Sequence, residues 1–504
     1  LLEPVDLVLV EGYKRDAHPK VEAHRAQIGN PLIARDDASV VAIASDVAIP
    51  DITVPVFDLD DVSGVADFIL AAVGLTHGVS GATPDLKPPR LSNDCFSLPR
   101  GVDWVPVDEA LVRLRAGLTP VVDHQTRQLE DALERVLAHD VIAARANPPA
   151  ANAAVDGYGF AHVTLPASGD PVLPLLPGRA AAGAPFAGVV PAGRAVRIMT
   201  GALLPDGVDT VVLQEDVNAD GGFVAFGADL RAGANTRHAG EDVEAGAVVL
   251  GAGQRIGPPE LALAAAVGVR ALSLCRRLRV GVLSTGDEIV TPHRPRPPDK
   301  TYDANRPMLL AVAAKWGYEP VDLGHVGDDR VALGEALDAA AAGVDVILTS
   351  GGASAGEEDH VSALLAEAGA LNTWRIAMKP GRPLALGLWH GVPVFGLPGN
   401  PVAALICTLV FARPAMSVLA GGAWLQAQGF DVPASFEKRK KAGRREYLRA
   451  RIGQDGRVTV FASEGSGRIS GLSWADGLVE LGDGARHVRP GDVVRYVPYA
   501  SFGL

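Results

Sequence analysis

The segment LTSGGASAGEEDH, residues 348–360, combines a flexible backbone with a concentration of carboxylates. Two adjacent glycines permit positive φ and close approach of the backbone to a ligand, and an oriented row of N–H groups near a helix start suits a phosphate or another anion. The carboxylates of Glu357, Glu358 and Asp359 would then be placed for a divalent cation that bridges to the phosphate. A plain helix start, with Ser354 as the N-cap and acids in the first turn, explains the segment equally well.

Other apolar runs are also followed by acids or cations, and these favour the anion site over the plain helix start. Acids stand in STGDE (284–288) and GDD (327–329), cations stand in AMKPGRP (377–383), and LPGNP (397–401) places a tight turn directly before a helix start. The candidates are Asp287, Glu288, Asp328, Asp329, Lys379 and Arg382, together with the helix start at Asn400. Together they suit a phosphorylated substrate with a metal ion. The sequence contains neither a Walker G-x-x-x-x-G-K-[ST] loop nor a G-x-G-x-x-G dinucleotide fingerprint.

A doubly wound sheet would bring these segments together. From Arg279 onward, short apolar runs such as RVGVLSTGDE, VDVILTSGG and GVPVFGLPGN alternate with helical segments such as NRPMLLAVAAKWG and VALGEALDAAAAG. Strands that alternate with helices predict a mostly parallel sheet whose ligand lies at the carboxyl ends of the strands. The glycines, acids and cations stand at those ends, so we expect their loops to meet at one rim.

The rest of the chain predicts several further domains, because 504 residues exceed one ordinary hydrophobic core. Apolar residues at helical spacing in DEALVRLRAGL and RQLEDALERVLAHD predict two amphipathic helices, whereas short strands broken by Gly and Pro predict β-rich domains. The predicted organisation is a small α/β unit (1–75), a Gly/Pro-rich linker (76–94), a helical/linker domain (95–156 and 241–276), a small β-rich domain (157–240), the doubly wound α/β domain (277–415) and a C-terminal β domain (416–504).

Composition and charge weigh against several function classes. The formal charge of −13 argues against general binding of nucleic acid or anionic membranes. No run of about 18 apolar residues lacks a charge or a helix breaker. The three cysteines are far apart, so neither a disulfide framework nor a zinc spacing is visible, and the start of the chain lacks the features of a signal peptide. We therefore expect a soluble cytoplasmic protein that binds neither nucleic acid nor membrane.

From about Asn93 to its end the chain resembles the molybdopterin molybdenumtransferases, the bacterial counterparts of the gephyrin E domain. The segments that carry the resemblance keep the family's order: NAAVDGYGF, RIMTGALLPDGVDTVVLQED, NTRHAGEDV, RVGVLSTGDEIV, YDANR, LGHVGDD, LTSGGASAGEED, AMKPGRPLALG, FGLPGNPVAAL, EYLRARI and SEGSGRIS. The resemblance implies that the protein takes adenylylated molybdopterin and molybdate, uses Mg²⁺ and releases AMP. It also implies a homodimer whose cleft is shared between subunits, with possible contacts to other proteins of molybdenum cofactor synthesis.

The same resemblance assigns roles to individual positions. The implied catalytic residues are Asp359, Glu288, Asp328, Asp156 and Asp242, of which Asp242, Glu288 and Asp328 are also the implied metal ligands. The implied substrate-binding residues are Ser354, Gly351, Gly352, Thr200, Arg375, Lys379, Arg382, Pro398, Arg449 and Ser466. Arg449 and Ser466 match the family's molybdate-binding pair, and the side chains of Asp156, Thr200 and Asp242 would reach the cleft from the partner subunit.

About 70 residues at the start resemble a different protein, the later half of the adapter of molybdopterin-guanine dinucleotide synthesis, which is a P-loop GTP-binding protein. The segment DLVLVEGYKRDAHPKVEAHR carries this resemblance. The Walker loop of that family would lie upstream of this segment, so the segment as it stands is not expected to bind GTP tightly. Two explanations stay open: a longer natural chain that fuses two consecutive pathway steps, or a remnant half-domain.

Three functions are compared, and the transferase is favoured. A molybdopterin adenylyltransferase of the preceding step would share the fold, but its glycine loop typically reads G-G-T-G followed by an Arg-Asp pair, where this chain has GGASAGEED. A non-catalytic cofactor carrier or scaffold is the third function, and the retained acids and Lys379 weigh against it. The basic cluster KRKKAGRREYLRAR, residues 438–451, is interpreted as a solvated face from which Arg449 turns into the cleft, rather than as a nucleic-acid site.

Overall fold

The structure is a computed structural model that describes residues 17–75, 104–293, 297–351, 360–368, 371–381 and 383–504, together with Leu9 and Gly12. The chain divides into two units, Leu1–Leu98 and Pro99–Leu504. Several predicted site residues lie outside the described residues, namely Gly352, Ser354, Asp359 and Arg382, and so does the side chain of Arg375.

The first unit contains a three-stranded parallel sheet followed by a helix. Its elements are β1 (Lys20–His24), β2 (Val40–Ser45), β3 (Val56–Asp58) and α1 (Val62–Ala72), with the strands in the order β1-β2-β3. The central strand β2 is buried because its run VVAIAS is apolar and β-branched. Asp61 caps α1 by accepting a hydrogen bond from the Gly64 N–H at 2.9 Å. The unit therefore has the α/β character that the sequence predicts.

The second unit begins with a helix and a series of short strands. The helices are α2 (Val107–Ala116) and α3 (Pro258–Ala266), and the strands are β4 (His124–Gln128), β5 (Val141–Ile142), β6 (Asn152–Ala153), β7 (Gly157–Phe160), β8 (Val172–Ala180), β9 (Ala195–Ile198), β10 (Thr210–Leu213), β11 (Val217–Asp220), β12 (Phe223–Phe226), β13 (Thr236–Arg237), β14 (Val248–Leu250) and β15 (Ala271–Cys275). A six-stranded sheet has the order β10-β7-β9-β8-β12-β11, and three two-stranded sheets pair β13 with β6, β14 with β5 and β15 with β4.

The predicted second amphipathic helix, RQLEDALERVLAHD, does not form. A single 3-10 turn, Leu129–Asp131, follows strand β4, and Glu134 has a φ of 62° that no helix accommodates. The N–H group of Glu134 donates instead to the Ile256 carbonyl at 2.8 Å. Pairing with residues distant in sequence satisfies the backbone of this segment, so tertiary contacts override a helical spacing of apolar residues.

The α/β domain follows, with helices on both faces of a six-stranded sheet. Its strands are β16 (Arg279–Thr285), β17 (Ile289–Val290), β18 (Thr301–Tyr302), β19 (Glu319–Val326), β20 (Val346–Ser350), β21 (Leu371–Arg375), β22 (Met378–Lys379), β23 (Pro383–Trp389) and β24 (Val392–Leu397), and its helices are α4 (Asn305–Lys315), α5 (Arg330–Ala341), α6 (His360–Glu367), α7 (Pro401–Cys407) and α8 (Arg413–Leu419). The sheet order is β19-β16-β20-β24-β23-β21, in which the first four strands are parallel and β23 pairs antiparallel with both β24 and β21. This confirms the predicted doubly wound, mostly parallel sheet.

Alternation of side chains along β16 and β20 builds a core on each face. Val282 and Leu348 join the core that includes helices α4, α7 and α8, whereas Leu283 and Ile347 join the core that includes α5 and α6. Each of these side chains is almost fully buried, which stabilises the fold by roughly 1.5–3 kcal/mol per side chain. The two cores hold the strand ends in fixed register, and this register positions the candidate site.

One apolar helix of the described chain has the length and composition to cross a membrane, Pro401–Leu419, which consists of α7, the π-helical turn Thr408–Ala412 and α8. However, 83% of its apolar window is buried inside the protein. It packs in the α/β core with Leu309 and Phe395. The helix is therefore a core element of the fold.

The C-terminal domain is a β structure joined to the α/β domain through a shared strand pairing. Its elements are β25 (Phe430–Pro433), β26 (Lys438–Lys440), β27 (Arg445–Ile452), β28 (Val458–Val460), β29 (Gly477–Leu481), β30 (Arg486–Val488), β31 (Val493–Pro498) and helix α9 (Ser470–Trp474). One sheet runs β22-β27-β29-β31-β25, and β22 brings Lys379 into register with Glu446 of β27. The predicted closing β domain is present.

Candidate functional site

Four parallel strands of the α/β sheet end at the same edge. Ser284 of β16 is in register with Ser350 of β20, and Ser350 with Leu397 of β24, while Thr285 pairs with Val326 of β19. The loops that begin at residues 286, 327, 351 and 398 therefore leave the sheet side by side. The strand register therefore brings these loops together at one rim, as the sequence predicts.

Asp287 and Asp328 bind each other's backbone across the rim. The Asp287 N–H donates to Asp328 Oδ2, and the Asp328 N–H donates to Asp287 Oδ1, both at 3.0 Å. This exchange fixes the loop after β16 against the loop after β19. The neighbouring Asp329 has a different task, because its side chain caps helix α5 by accepting from the N–H groups of Val331 and Ala332 at 2.8 and 3.0 Å.

Glu288 extends the acidic edge of the loop after β16. It is exposed, and its carboxylate lies beside Gly286, where an added Cβ would be 2.3 Å from Glu288 Oε2. Gly286 also has a φ of 126°, in the range that favours glycine. Glycine at 286 therefore lets the Glu288 side chain fold against the rim together with the half-buried Asp328.

Gly351 marks the point where the segment LTSGGASAGEEDH leaves the sheet. Its φ is 103°, and an added Cβ would lie 2.6 Å from the Thr285 carbonyl oxygen of the adjacent strand. Its N–H donates to the Leu397 carbonyl at 3.1 Å, directly before the buried Pro398. Glycine is therefore required at 351 on both conformational and steric grounds. The predicted ligands Gly352, Ser354 and Asp359 that follow lie outside the described residues.

Asn305 joins two of these strand ends, although the sequence analysis gave it no role. It is buried at the start of α4, and its Nδ2 donates to Ser350 Oγ and to the Gly399 carbonyl, both at 2.7 Å. The bonds tie the end of β20 to the Pro398 turn. The only signal in the sequence is the polar asparagine of YDANR at the start of an otherwise apolar helical segment.

A cavity of about 20 Å³ lies where β22 of the α/β domain meets β27 of the C-terminal domain. Its lining carries both cations and apolar side chains: Lys379, Pro380, Val402, Tyr447, Leu448, Arg449, Val460, Phe461, Ser463 and Glu464. We call it the cation cavity. Two residues that the resemblance assigns to substrate binding, Lys379 and Arg449, therefore line one space.

The Arg449 guanidinium donates hydrogen bonds to the loop that carries Ser466. It is 4% exposed, and its guanidinium lies 4.9 Å from the Phe461 ring centroid and donates to the carbonyls of Ser463, Gly465 and Arg468. Burial lowers the pKa of Arg449 from its ordinary value. The side chain thus organises the walls of the cavity.

The predicted solvated face at residues 438–451 is present only in part. Arg439, Lys441 and Arg451 are exposed and Arg449 lines the cavity, whereas Lys440 and Arg444 are buried. Buried charges require partners, and other parts of the chain provide them: Lys440 Nζ, for example, donates to the Gly484 carbonyl at 2.9 Å. A run of basic letters carries no information about such partners, which come from distant parts of the chain.

A carboxylate that the sequence analysis missed bridges the lysines of the cavity. Glu464 Oε2 accepts from Lys379 Nζ at 2.6 Å, and Glu464 Oε1 accepts from Lys438 Nζ. Burial raises the pKa of Glu464, but the hydrogen bonds from Lys379 and Lys438 outweigh it and leave the pKa below its ordinary value. Glu464 is therefore a charged group between two cations.

Asp156, Thr200 and Asp242 have partners in their own part of the chain. Asp156 Oδ1 accepts from both the N–H and the hydroxyl of Thr200 at 2.7 Å, and these bonds lower the pKa of Asp156. Asp242 accepts from Asn147 Nδ2 at 2.9 Å. Within the described ranges no group of three or more His, Cys, Asp and Glu side chains could hold a metal ion. Among the described residues of a single chain, Asp242, Glu288 and Asp328 therefore do not form a metal centre.

Models of known families match this chain in four segments. Residues 105–268 match the MoeA N-terminal region (domain I and II), residues 281–417 match a probable molybdopterin binding domain, and residues 431–499 match the MoeA C-terminal region (domain IV). Residues 1–46 match molybdopterin guanine dinucleotide synthesis protein B. Both resemblances found in the sequence are thereby confirmed.

Individual proteins match over most of their length. The molybdopterin molybdenumtransferase of Haemophilus influenzae is 34% identical over 399 residues, which cover 78% of this chain and 98% of that protein. Molybdopterin molybdenumtransferase 2 of Mycobacterium tuberculosis (strain CDC 1551 / Oshkosh) is 33% identical over 386 residues, 73% of this chain and 93% of that protein. The crystal structure of the molybdopterin biosynthesis MoeA protein from Pyrococcus horikosii superposes with a TM-score of 0.65 at 28% identity and covers 79% of this chain and 99% of its own.

Proposed function

The chain belongs to the molybdopterin molybdenumtransferase family and acts in molybdenum cofactor biosynthesis by molybdotransferase activity, and on that premise we propose that its rim and its cation cavity bind the two substrates. These substrates are adenylylated molybdopterin and molybdate, and AMP is the leaving group. The rim takes the pterin and phosphate end, and the cation cavity takes molybdate.

One observation carries this assignment: rim and cavity meet at a single helix start. The Gly351 N–H donates to Leu397 O at the rim, and the turn through Pro398 leads into α7. At the second residue of α7, the Val402 N–H donates to the Ser466 carbonyl of the cavity loop at 3.2 Å. A substrate whose phosphate lies at the rim can therefore present its dithiolene sulfurs toward the cavity.

The cations of the cavity suit molybdate. Molybdate is a small dianion, and charge-assisted hydrogen bonds from lysine and arginine bind such ions most strongly. Lys379 supplies a point charge, whereas Arg449 holds the loop of Ser466 and adds a second positive charge next to it. Ser466 is half-buried on that loop and supplies a hydroxyl donor. The buried cysteines Cys275 and Cys407 are free thiols, which fits the reducing cytoplasm that we propose as the compartment.

Mg²⁺ suits the acids of the rim. It prefers carboxylate oxygens together with substrate phosphates, and Glu288 and Asp328 are carboxylates on adjacent loops. These two residues would hold the cation, with Asp359 and the partner subunit's Asp242 as further candidates. When bound, the cation supplies positive charge against the phosphate oxygens as AMP leaves. Asp287 keeps the Asp328 loop in place through the reciprocal backbone bonds.

The decisive experiment is AMP release from adenylylated molybdopterin with Mg²⁺, with and without molybdate. We expect the wild-type chain to release AMP only when molybdate is present, and Lys379→Ala to lose at least about 100-fold in rate, as expected for removal of a preorganised charge partner. Lys315→Ala, an exposed lysine at the end of α4, is the matched control. If the wild type binds the adenylate but releases no AMP, the transferase proposal fails and a cofactor carrier becomes the better description.

The active form is proposed to be a homodimer. The family resemblance implies that Asp156, Thr200 and Asp242 reach the cleft of a second chain. Their own hydrogen bonds join Asp156 to Thr200 and Asp242 to Asn147. A scattering mass of two chains, together with recovery of activity when Asp242→Asn and Lys379→Ala chains are mixed, is expected. A mass of one chain under active conditions would contradict this arrangement. The adapter-like unit at the start is a candidate for contacts with other proteins of cofactor synthesis.

A further inference from the structure

The Glu464 carboxylate occupies the position that an oxyanion would need in the cation cavity. It accepts from Lys379 Nζ at 2.6 Å with one oxygen and from Lys438 Nζ with the other. Both lysine side chains are nearly buried, with 13% and 11% exposure, so their ammonium groups are held in place. Two oxygens between two ammonium groups reproduce part of the contact set of a tetrahedral oxyanion.

The cavity is too small for such an anion while Glu464 remains in place. Its volume of about 20 Å³ holds about one water, for which roughly 10–15 Å³ is needed on the same scale. A tetrahedral oxyanion carries four oxygens around its central atom. Glu464 is also the most exposed member of the bridge, with 41% of its side chain accessible, so it has the room to swing outward. Entry of molybdate therefore requires the Glu464 carboxylate to move outward.

Lys438 makes this displacement possible at low cost. A carboxylate that loses its only cation would be left as an uncompensated charge, which is strongly unfavourable in a partly buried place. Glu464 has a second cation in Lys438, which Glu446 in turn holds in place with an ion pair of 3.0 Å. Arg449 is committed to backbone carbonyls and keeps the cavity wall in place during the exchange.

Resting on the function proposed above, we propose that Glu464 determines the affinity of the molybdate site: its carboxylate stands in for the oxyanion on Lys379 and is taken over by Lys438 when molybdate enters. The site thereby selects ions that outcompete a carboxylate. A dianion with several oxygens gains more from Lys379 than the carboxylate does, whereas a monoanion such as chloride replaces one negative charge with another and gains little.

The test measures binding of sodium molybdate to the full-length chain by titration calorimetry without any pterin. Glu464→Gln keeps the shape but removes the charge, and we expect molybdate to bind about tenfold more tightly, which corresponds to about 1.4 kcal/mol. Lys438→Met removes the alternative cation, and we expect about tenfold weaker binding. Glu437→Gln is the matched control, because Glu437 is bonded to His487 and does not line the cavity. This variant should bind molybdate with the affinity of the wild type.

The outcomes separate the exchange from the function on which it rests. If the wild type binds molybdate but Glu464→Gln binds it no better, the exchange is refuted and the transferase proposal stands. Opposite shifts in Glu464→Gln and Lys438→Met, in proteins with the same cooperative thermal unfolding, support the exchange. If no chain binds molybdate or tungstate although all unfold cooperatively, the cavity is not the molybdate site, and the assignment of the cavity fails with it.

Discussion

Asp345 shows how a single buried carboxylate can hold two segments together. Its side chain retains 7% exposure and accepts two hydrogen bonds from Arg276 at 2.9 Å and one from the Arg279 N–H at 2.7 Å. These contacts fix the entry of β16 into the α/β sheet. Burial raises the pKa of Asp345, but the hydrogen bonds from Arg276 and Arg279 outweigh it and keep the pKa below its ordinary value.

Asp345→Asn should therefore destabilise the protein by about 1–3 kcal/mol at pH 7, because it removes the charge partner of two arginines that water still reaches in part. Since the pKa is lower in the folded state, this stability is present above the unfolded pKa of about 3.9 and is lost as the pH falls through the folded value. Urea unfolding at pH 7 and at pH 3 measures both effects, and the difference between wild type and variant should shrink at pH 3. Asp431→Asn, on an exposed position of β25, serves as the control and should change stability by less than about 0.5 kcal/mol. A difference that is the same at both pH values would contradict the assignment.

Residues with a local signature were the ones that sequence reasoning could find. Gly351 and Asp328 stand out because glycines and acids after an apolar run are unusual in themselves, and the sheet register then brings their loops together. Asn305, Lys438 and Glu464 have no such signature, because their roles depend on side chains 26 to 85 residues away and on the closing of a cavity between two domains. The sequence therefore predicts the glycines and acids of the rim, but not the ion pairs that Glu464 makes with the lysines of the cation cavity.

At the scale of elements, the helix Pro401–Leu419 links site and core. Its start carries the contact between rim and cavity, and its middle places Phe411 in the α/β core with no exposed surface. The aromatic side chain sits in the π-helical turn Thr408–Ala412, between α7 and α8. Packing of this turn thus contributes to the position of Val402 and the loop of Ser466.

Phe411→Ala should destabilise the protein by about 3–5 kcal/mol, through lost burial and a cavity that the core cannot fully close. Thermal or urea unfolding of the purified chain measures the loss. The control is Phe430→Ala in β25, which is 48% exposed and should change stability much less. Equal effects of the two substitutions would show that the helix does not have the buried position described here.

The strands of the α/β sheet could be predicted and one helix could not, for a common physical reason. Buried parallel strands consist of continuous apolar runs such as VILTS of β20, so composition alone identifies them. In residues 127–140 the apolar residues have helical spacing, yet their backbone pairs with segments such as Ile256 more than 100 residues away. Periodicity does not report where the backbone finds its hydrogen bonds, and here it does not report burial either, since Leu133 is exposed and Arg135 is buried.

At the scale of the whole molecule, every described candidate residue lies in the second unit, Pro99–Leu504. That unit contains the α/β cores, the C-terminal β core and the small β-rich sheet, and its residues 105–268, 281–417 and 431–499 match the three MoeA family regions. The adapter-like unit has its own sheet and helix. The sequence predicts the fold class because the spacing of apolar residues changes from one domain to the next, between strand-like and helix-like patterns.

A chain that begins at Pro99 should therefore keep molybdate-dependent AMP release within about twofold of the full-length rate, because removal of a separate unit leaves the core of the other unchanged. The melting temperature of its main transition should also stay the same. AMP release by the full-length chain and the shortened chain, measured side by side at equal concentration, tests this. Lys379→Ala should lower the rate of the shortened chain at least about 100-fold, the same loss that is expected for the full-length chain, if both rates depend on the same cavity. A shortened chain that unfolds with an unchanged transition but releases AMP much more slowly would instead assign the first unit a role in turnover, such as delivery of the adenylylated substrate.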